Sequence, residues 1–115
     1  MAIDTLQTLE IIEVMENFLS RKRPAEHIRD KVDLGYQIEG QSIIIVEIRP
    51  RWDKPEVILE HPIAKTTFVK TKNHWKVFWM RADLKWHGYT PKPTVKSLAE
   101  FTKLVEEDKH YCFFG

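Results

Sequence analysis

A single cysteine, Cys112, occurs in 115 residues, which excludes an internal disulfide framework and fits a reducing compartment. Net charge is nearly absent as well. Eighteen Lys and Arg against seventeen Asp and Glu leave +1, so no bulk field draws the chain toward nucleic acid or an anionic membrane, and only local patches can do so. Long apolar runs are missing: runs such as Ile43 to Val46 reach four residues, far short of the roughly 20 that span a bilayer, and no membrane partner is expected. The opening "MAIDTLQTLEIIEVMENF" has neither a basic start nor an uninterrupted apolar segment. A secretory leader is therefore not expected, and the expected compartment is cytoplasmic. Gly/Ser tracts, internal repeats and low-complexity segments are absent too, and a single domain over 1–115 is expected.

What remains, 43% hydrophobic and 30% charged, is the composition of a globular protein with a core of its own. Leu6, Leu9, Ile12, Met15, Phe18 and Leu19 recur at helical spacing among Glu10, Glu13 and Glu16. Asp4 is placed to cap that helix, and "SRKR" ends it in basic charge that suits its dipole. Pro24 fits the first turn of a second, short helix running through Val32 and ending near Gly35, with Ile28 and Val32 as its buried pair.

The period then changes. Tyr36 and Ile38, a turn at Glu39-Gly40 and a strand from Ser42 to Arg49 form a hairpin, with Ile44, Val46 and Ile48 on one face and Ile43, Ile45, Glu47 and Arg49 on the other. The loop "PRWDKP" precedes two extended pieces, "EVILEH" and "IAKTTFVKT". "KNH" turns into the strand "WKVFWMR", and "ADL" turns back into "KWHGY". Ser97 to Glu100, "SLAE", is a capping box, and Leu98, Phe101, Leu104 and Val105 define one face of the helix it starts. The expected class is α+β: an antiparallel sheet of about five strands with two N-terminal helices and one C-terminal helix.

Three of the four tryptophans fall within "HWKVFWMRADLKWHGY", His74 to Tyr89. Such a cluster is either core or a surface that grips a flat π-system. Alternation puts Trp75, Val77 and Trp79 on one face and Lys76, Phe78 and Met80 on the other, so both faces are largely apolar, as in a central strand covered on both sides. Core packing is the favoured reading, with Trp75 and Trp79 buried and Trp86, on the shorter and more polar strand, the more exposed.

"IRPRW" (Ile48 to Trp52), "WKVFWMRADLKWHGY" (Trp75 to Tyr89) and "EDKHYCFFG" (Glu107 to Gly115) together resemble a family of short bacterial proteins, domain of unknown function 3024. The resemblance spans essentially the whole chain. It implies a small, free-standing bacterial protein and carries no activity, cofactor, partner or catalytic residue with it.

Several chemistries can be weighed on the residues themselves. His110 and Cys112, with Asp108 near and His87 within conceivable reach, offer nitrogen, sulfur and oxygen ligands, but no C-x-x-C or H-x-x-x-H spacing supports them. A nucleophilic Cys112 needs His110 beside it, and no G-x-S-x-G elbow exists. No metal, cofactor or catalytic residue is therefore assigned. Asp33 before the hairpin and Glu47-Ile48-Arg49 on its second strand sit where a PD-(D/E)-x-K nuclease keeps its metal ligands. That makes a divalent-metal phosphodiesterase around Asp33 and Glu47 the alternative function. Its departures are the missing "PD", more strands where that fold has a helix, and an arginine, which cannot deprotonate, in place of lysine.

The leading reading is a small non-enzymatic binding protein. "RPRWDKP" sets Arg49, Arg51 and Lys54 around Trp52 in a proline-stiffened loop, and "KTKNHWK" adds Lys70, Lys72 and Lys76. Trp86 and His87 are further candidates for the binding surface. Basic and aromatic residues interleaved suit phosphates and bases, and guanidinium groups suit carboxylates, so the expected partner is nucleic acid or an acidic protein surface. The competing reading makes Trp52 a lid folded back over the core.

Overall fold

A computed structural model describes residues 5–114, with side chains from Gln7 onward. Helix α1 (Thr5–Lys22) opens the described chain. Its expected cap Asp4 and the side chain of Leu6 lie outside the described residues. The buried stripe of α1 is Ile11, Met15 and Phe18, flanked by Val14, whereas Leu9 is 60% exposed and Ile12 also faces water. This corrects the expected stripe through Leu9 and Ile12. Apolar residues come in adjacent pairs here, Ile11-Ile12 and Val14-Met15, so spacing alone permits two registers one residue apart, and packing selects between them.

The second expected helix is not one. Between Lys22 and Asp33 the chain makes a single 3₁₀ turn, Glu26–Ile28, closed by the Ile28 amide on the Ala25 carbonyl at 2.8 Å, and Ile28 is exposed. With Ile28 and Val32 as the segment's apolar pair, one turn has too little to bury to offset helix nucleation. Its ends are tied instead by side chains. Arg23 reaches across the turn to Asp33, and Arg29 Nε donates to the Pro24 carbonyl at 2.9 Å.

Six antiparallel strands follow: β1 (Asp33–Glu39), β2 (Ser42–Pro50), β3 (Ile58–Val69), β4 (His74–Met80), β5 (Trp86–Gly88) and β6 (Thr94–Val95). They lie in the order β1-β2-β3-β4-β5, with β6 also on β4. Gly40, in the β1–β2 turn, takes φ +58, a value that favours glycine. The expected pieces "EVILEH" and "IAKTTFVKT" are one continuous strand, β3, running through Pro62. Val46 pairs with Pro62 and Ile45 with Ala64, so Ile63 is the extra residue of a bulge. Pro62 is tolerated because β4 pairs with β3 only from Ala64 onward, which leaves the proline on an open edge.

Helix α2 (Leu98–Glu107) begins as expected, with the Glu100 amide donating to Ser97 Oγ at 3.2 Å, and it buries Leu98, Phe101 and Val105. Both helices pack on one sheet face. There Ile11, Met15, Phe18, Leu98, Phe101 and Val105 meet Ile43, Ile45, Ala64, Trp75 and Val77 in a continuous core. The architecture is thus the expected antiparallel α+β, with two helices rather than three.

Among the described residues no helix covers the opposite face, contrary to the two-sided cover expected for β4. It closes itself instead. Gly35 has no Cβ, which would stand 3.2 Å from Ile48 Cδ1, so Ile48 and Val46 lie down across β1. Lys65 sets its ammonium 5.4 Å from the Phe78 ring and 5.6 Å from that of Trp86. Trp79 is correspondingly half-buried at the rim of the core, with the Arg81 guanidinium 5.5 Å over its ring.

The segment after α2 is locked onto the body. Asp108 ends the helix in the left-handed region (φ 40), its amide on the Leu104 carbonyl at 3.0 Å. Its buried carboxylate accepts the amides of Phe113 and Phe114 at 3.0 and 2.9 Å. Phe113 enters the core against Tyr89, ring centroids 4.9 Å apart. Among the described residues no helix is long and apolar enough to cross a membrane.

Burial separates the two tryptophans of β4 sharply, Trp75 being 5% exposed. Trp75→Ala is expected to cost about 3–5 kcal/mol through the cavity it leaves, and Trp79→Ala clearly less. Urea unfolding of the two variants checks this; equal losses would contradict the rim position of Trp79.

Candidate functional site

Strand lengths are unequal, and the candidate site follows from that. β1 begins opposite Ile48 and β4 ends opposite Ala64, so beyond these positions β2 and β3 have only each other. On β2 the pairing with β1 continues to Ile48, whose β3 partner is Glu60, so only the pairs Arg49–Leu59 and Pro50–Ile58 and the loop beyond them lie outside both neighbours. The hairpin therefore stands out from the sheet as a two-stranded arm.

Its tip is ordered by its own bonds. The Arg51 amide donates to the Val57 carbonyl at 2.7 Å, the Val57 amide to the Lys54 carbonyl at 2.9 Å, and Pro50 and Pro55 stiffen the approaches. Trp52 is 93% exposed. It is not a lid. Ile58, 57% exposed, and Leu59 add apolar surface on the two opposite faces of the arm. Sequence reasoning read those two as ordinary strand residues; the available signal was Pro62, which marks the open edge beside them.

The arginines of the loop are not free. Arg51 holds Asp53 through two bonds, Nε to Oδ1 at 2.7 Å and Nη2 to Oδ2 at 2.8 Å. Arg49 Nη2 lies 3.4 Å from Glu47 Oε2. Lys54 is exposed and has no carboxylate within ion-pair distance among the described residues. Arg49, Arg51, Trp52 and Lys54 thus share one hairpin, as expected. Trp86 and His87 do not join it. They sit on β5, with β4 between them and the arm, and they point to opposite faces because Trp86 pairs with Met80 and His87 with Trp79. His87 Nε2 is held 2.9 Å from Asp83 Oδ2.

Asp33 and Glu47 do not converge. Asp33 pairs with Ile48 and Leu34 with Glu47, so the two carboxylates leave neighbouring positions on opposite sheet faces. Asp33 is also fully engaged: Arg23 Nε and Nη2 each donate to it at 2.7 Å and the Leu34 amide at 2.8 Å. Around Cys112 the geometry is equally specific. The thiol donates to the His110 carbonyl at 3.6 Å rather than to an imidazole, and Asp108 is occupied with the two backbone amides. Burial, and secondarily the Asp108 charge, pushes the Cys112 thiol up, away from the thiolate a nucleophile needs.

The hydrogen bonds from Arg23 hold the Asp33 carboxyl below the usual carboxylate range. A depressed folded-state pKa stabilises above the unfolded value, about 4, and that contribution is lost as pH falls through the lower folded value. Asp33→Asn is therefore expected to destabilise at neutral pH, with the gap to the parent closing below about pH 4. Urea midpoints at the two pH values measure it; a gap independent of pH would rule out the ion pair as its source.

The model of one protein family, described as "Domain of unknown function (DUF3024)", matches residues 3–115, and the chain belongs to that family. No curated protein and no solved structure matches it.

Proposed function

We propose that this chain is a non-enzymatic binding protein whose β2–β3 arm docks onto another protein, with Trp52 as the anchor. The exposed indole at the end of an ordered, protruding hairpin carries the reading. An indole left in water is costly unless a partner covers it, and burying its roughly 200 Å² is worth about 5 kcal/mol before the costs of association. Tryptophan is also enriched among residues that dominate interface energy. The tip is already folded by its own turn bonds and ion pair, so little ordering entropy opposes docking.

Charge favours a protein over nucleic acid at this site. Between Glu47 and Glu60 there are three basic and four acidic residues, and two of the three cations are already paired. Such an arm releases few counterions from a phosphate backbone. It suits an apolar cleft bordered by a carboxylate for Lys54, with Arg51 able to exchange Asp53 for a carboxylate of the partner.

A photo-crosslinking residue in place of Glu56, exposed on the same loop as Trp52, tests this in cells that make the protein. The expected result is a discrete heavier adduct, competed by excess parent protein and at least tenfold less by Trp52→Ala, equivalent to about 1.4 kcal/mol. Trp52→Ala should leave the urea midpoint within about 0.5 kcal/mol of the parent. Equal competition by the two proteins would defeat the proposal.

A further inference from the structure

The end of the sheet opposite the arm has the reverse electrostatics. Between Lys70 and Lys96 lie seven of the eighteen basic residues and a single acid, Asp83. Arg81, Lys85 and Asp83 belong to the β4–β5 turn, at the arm's end. The other five, all lysines, belong to the far end, and strand pairing gathers them there. Lys70 and Lys72 form the 3₁₀ turn that enters β4, and Lys76 lies opposite Thr94 of β6. Because β6 is pinned to β4, with the Val77 amide also on the Pro93 carbonyl at 2.9 Å, its flanking residues Lys92 and Lys96 arrive beside His74 and Lys76.

Between them runs a groove of about 370 Å³ lined by His74, Lys92, Thr94, Val95, Lys96 and Glu100. None of the five lysines has a carboxylate within ion-pair distance among the described residues, in contrast to Arg49 and Arg51 on the arm. Nε2 of His74 is buried and has no hydrogen-bond partner among the described residues.

We infer that this lysine face binds the phosphate backbone of nucleic acid, with one phosphate seated between Lys92 and Lys96. Unpaired cations spread over one end of the molecule match a polyanion with charges at regular intervals. Lysines act as point charges and lack the planar fork that reads base edges, so the binding is independent of sequence. Glu100, the acid in the groove, sets a boundary to the backbone's path. The inference does not depend on the arm: a chain with both surfaces joins a protein to nucleic acid, and a chain with only this one still binds the polyanion.

Fluorescence anisotropy with two labelled DNA duplexes of unrelated sequence tests it, between about 50 and about 200 mM salt. Equal affinity for the two duplexes is expected, with log K falling linearly in log salt. Replacing Lys92 and Lys96 together by Gln should reduce the slope by about two and weaken binding at least tenfold at the lowest salt. Lys76→Gln should reduce the slope by about one, and Lys31→Gln, exposed just before β1, should change nothing. The lysines are exposed, so unchanged thermal midpoints are expected to accompany these losses. Absence of duplex binding at about 50 mM salt overturns the inference. So does a slope unaffected by the Lys92/Lys96 pair, an equal loss from Lys31→Gln, or calorimetric binding of inorganic phosphate without binding of duplex.

Discussion

The structure depends on one-sided cover. Two helices are enough to roof one face of the sheet, and they do so with Ile11, Met15 and Phe18 from one side and Leu98, Phe101 and Val105 from the other. Everything on the far face must then be shielded by the sheet's own side chains. Val46 and Ile48 close over Gly35, and Lys65 holds its ammonium over the Phe78 and Trp86 rings. A methyl group at Gly35 would push against Ile48 at 3.2 Å, so that position matters more than its place on an edge strand implies.

The same economy of helices leaves β2 and β3 longer than anything that can support them. A two-stranded ribbon is marginal in water when isolated; this one is continuous with strands anchored in the core, and it is free of both β1 and β4 only from the Arg49–Leu59 pair outward. The molecule is accordingly elongated, 45 Å by 30 Å by 25 Å. Its two ends differ in kind. At the arm each guanidinium is matched by a neighbouring carboxylate and the apolar tip is left over, whereas at the β4–β6 end the lysines are left over.

Local chemistry was legible in the sequence where one short motif decides one structure. The capping box at Ser97, the hairpin turn near Gly40 and the alternation that buries Trp75 and Val77 all belong to this class. Misreadings came where two local solutions were nearly equal and distant packing chose between them. The stripe of α1 is one such case, and the unformed helix after Pro24, where a 3₁₀ turn and the Arg23–Asp33 pair replaced two more helical turns, is another. At the candidate site the composition of the loop was visible but its pairing was not: "RPRWDKP" reads as basic until Asp53 is seen to occupy Arg51. The gathering of Lys92 and Lys96 beside His74 was hidden for a different reason. It rests on β6, a strand of two residues with no periodicity to detect.

The lock at Asp108 bears on how the chain is made. A ribosome delivers α1 first, yet the residues that face it across the core, on α2 and at Phe113, come from the last part of the described chain. Until those residues emerge, Ile11, Met15, Phe18 and the covered sheet face lack much of their apolar partner surface, so the domain closes late and as a unit. Nascent chains that still await α2 present that surface to solvent, and for that interval they are clients for whatever holds unfinished proteins apart.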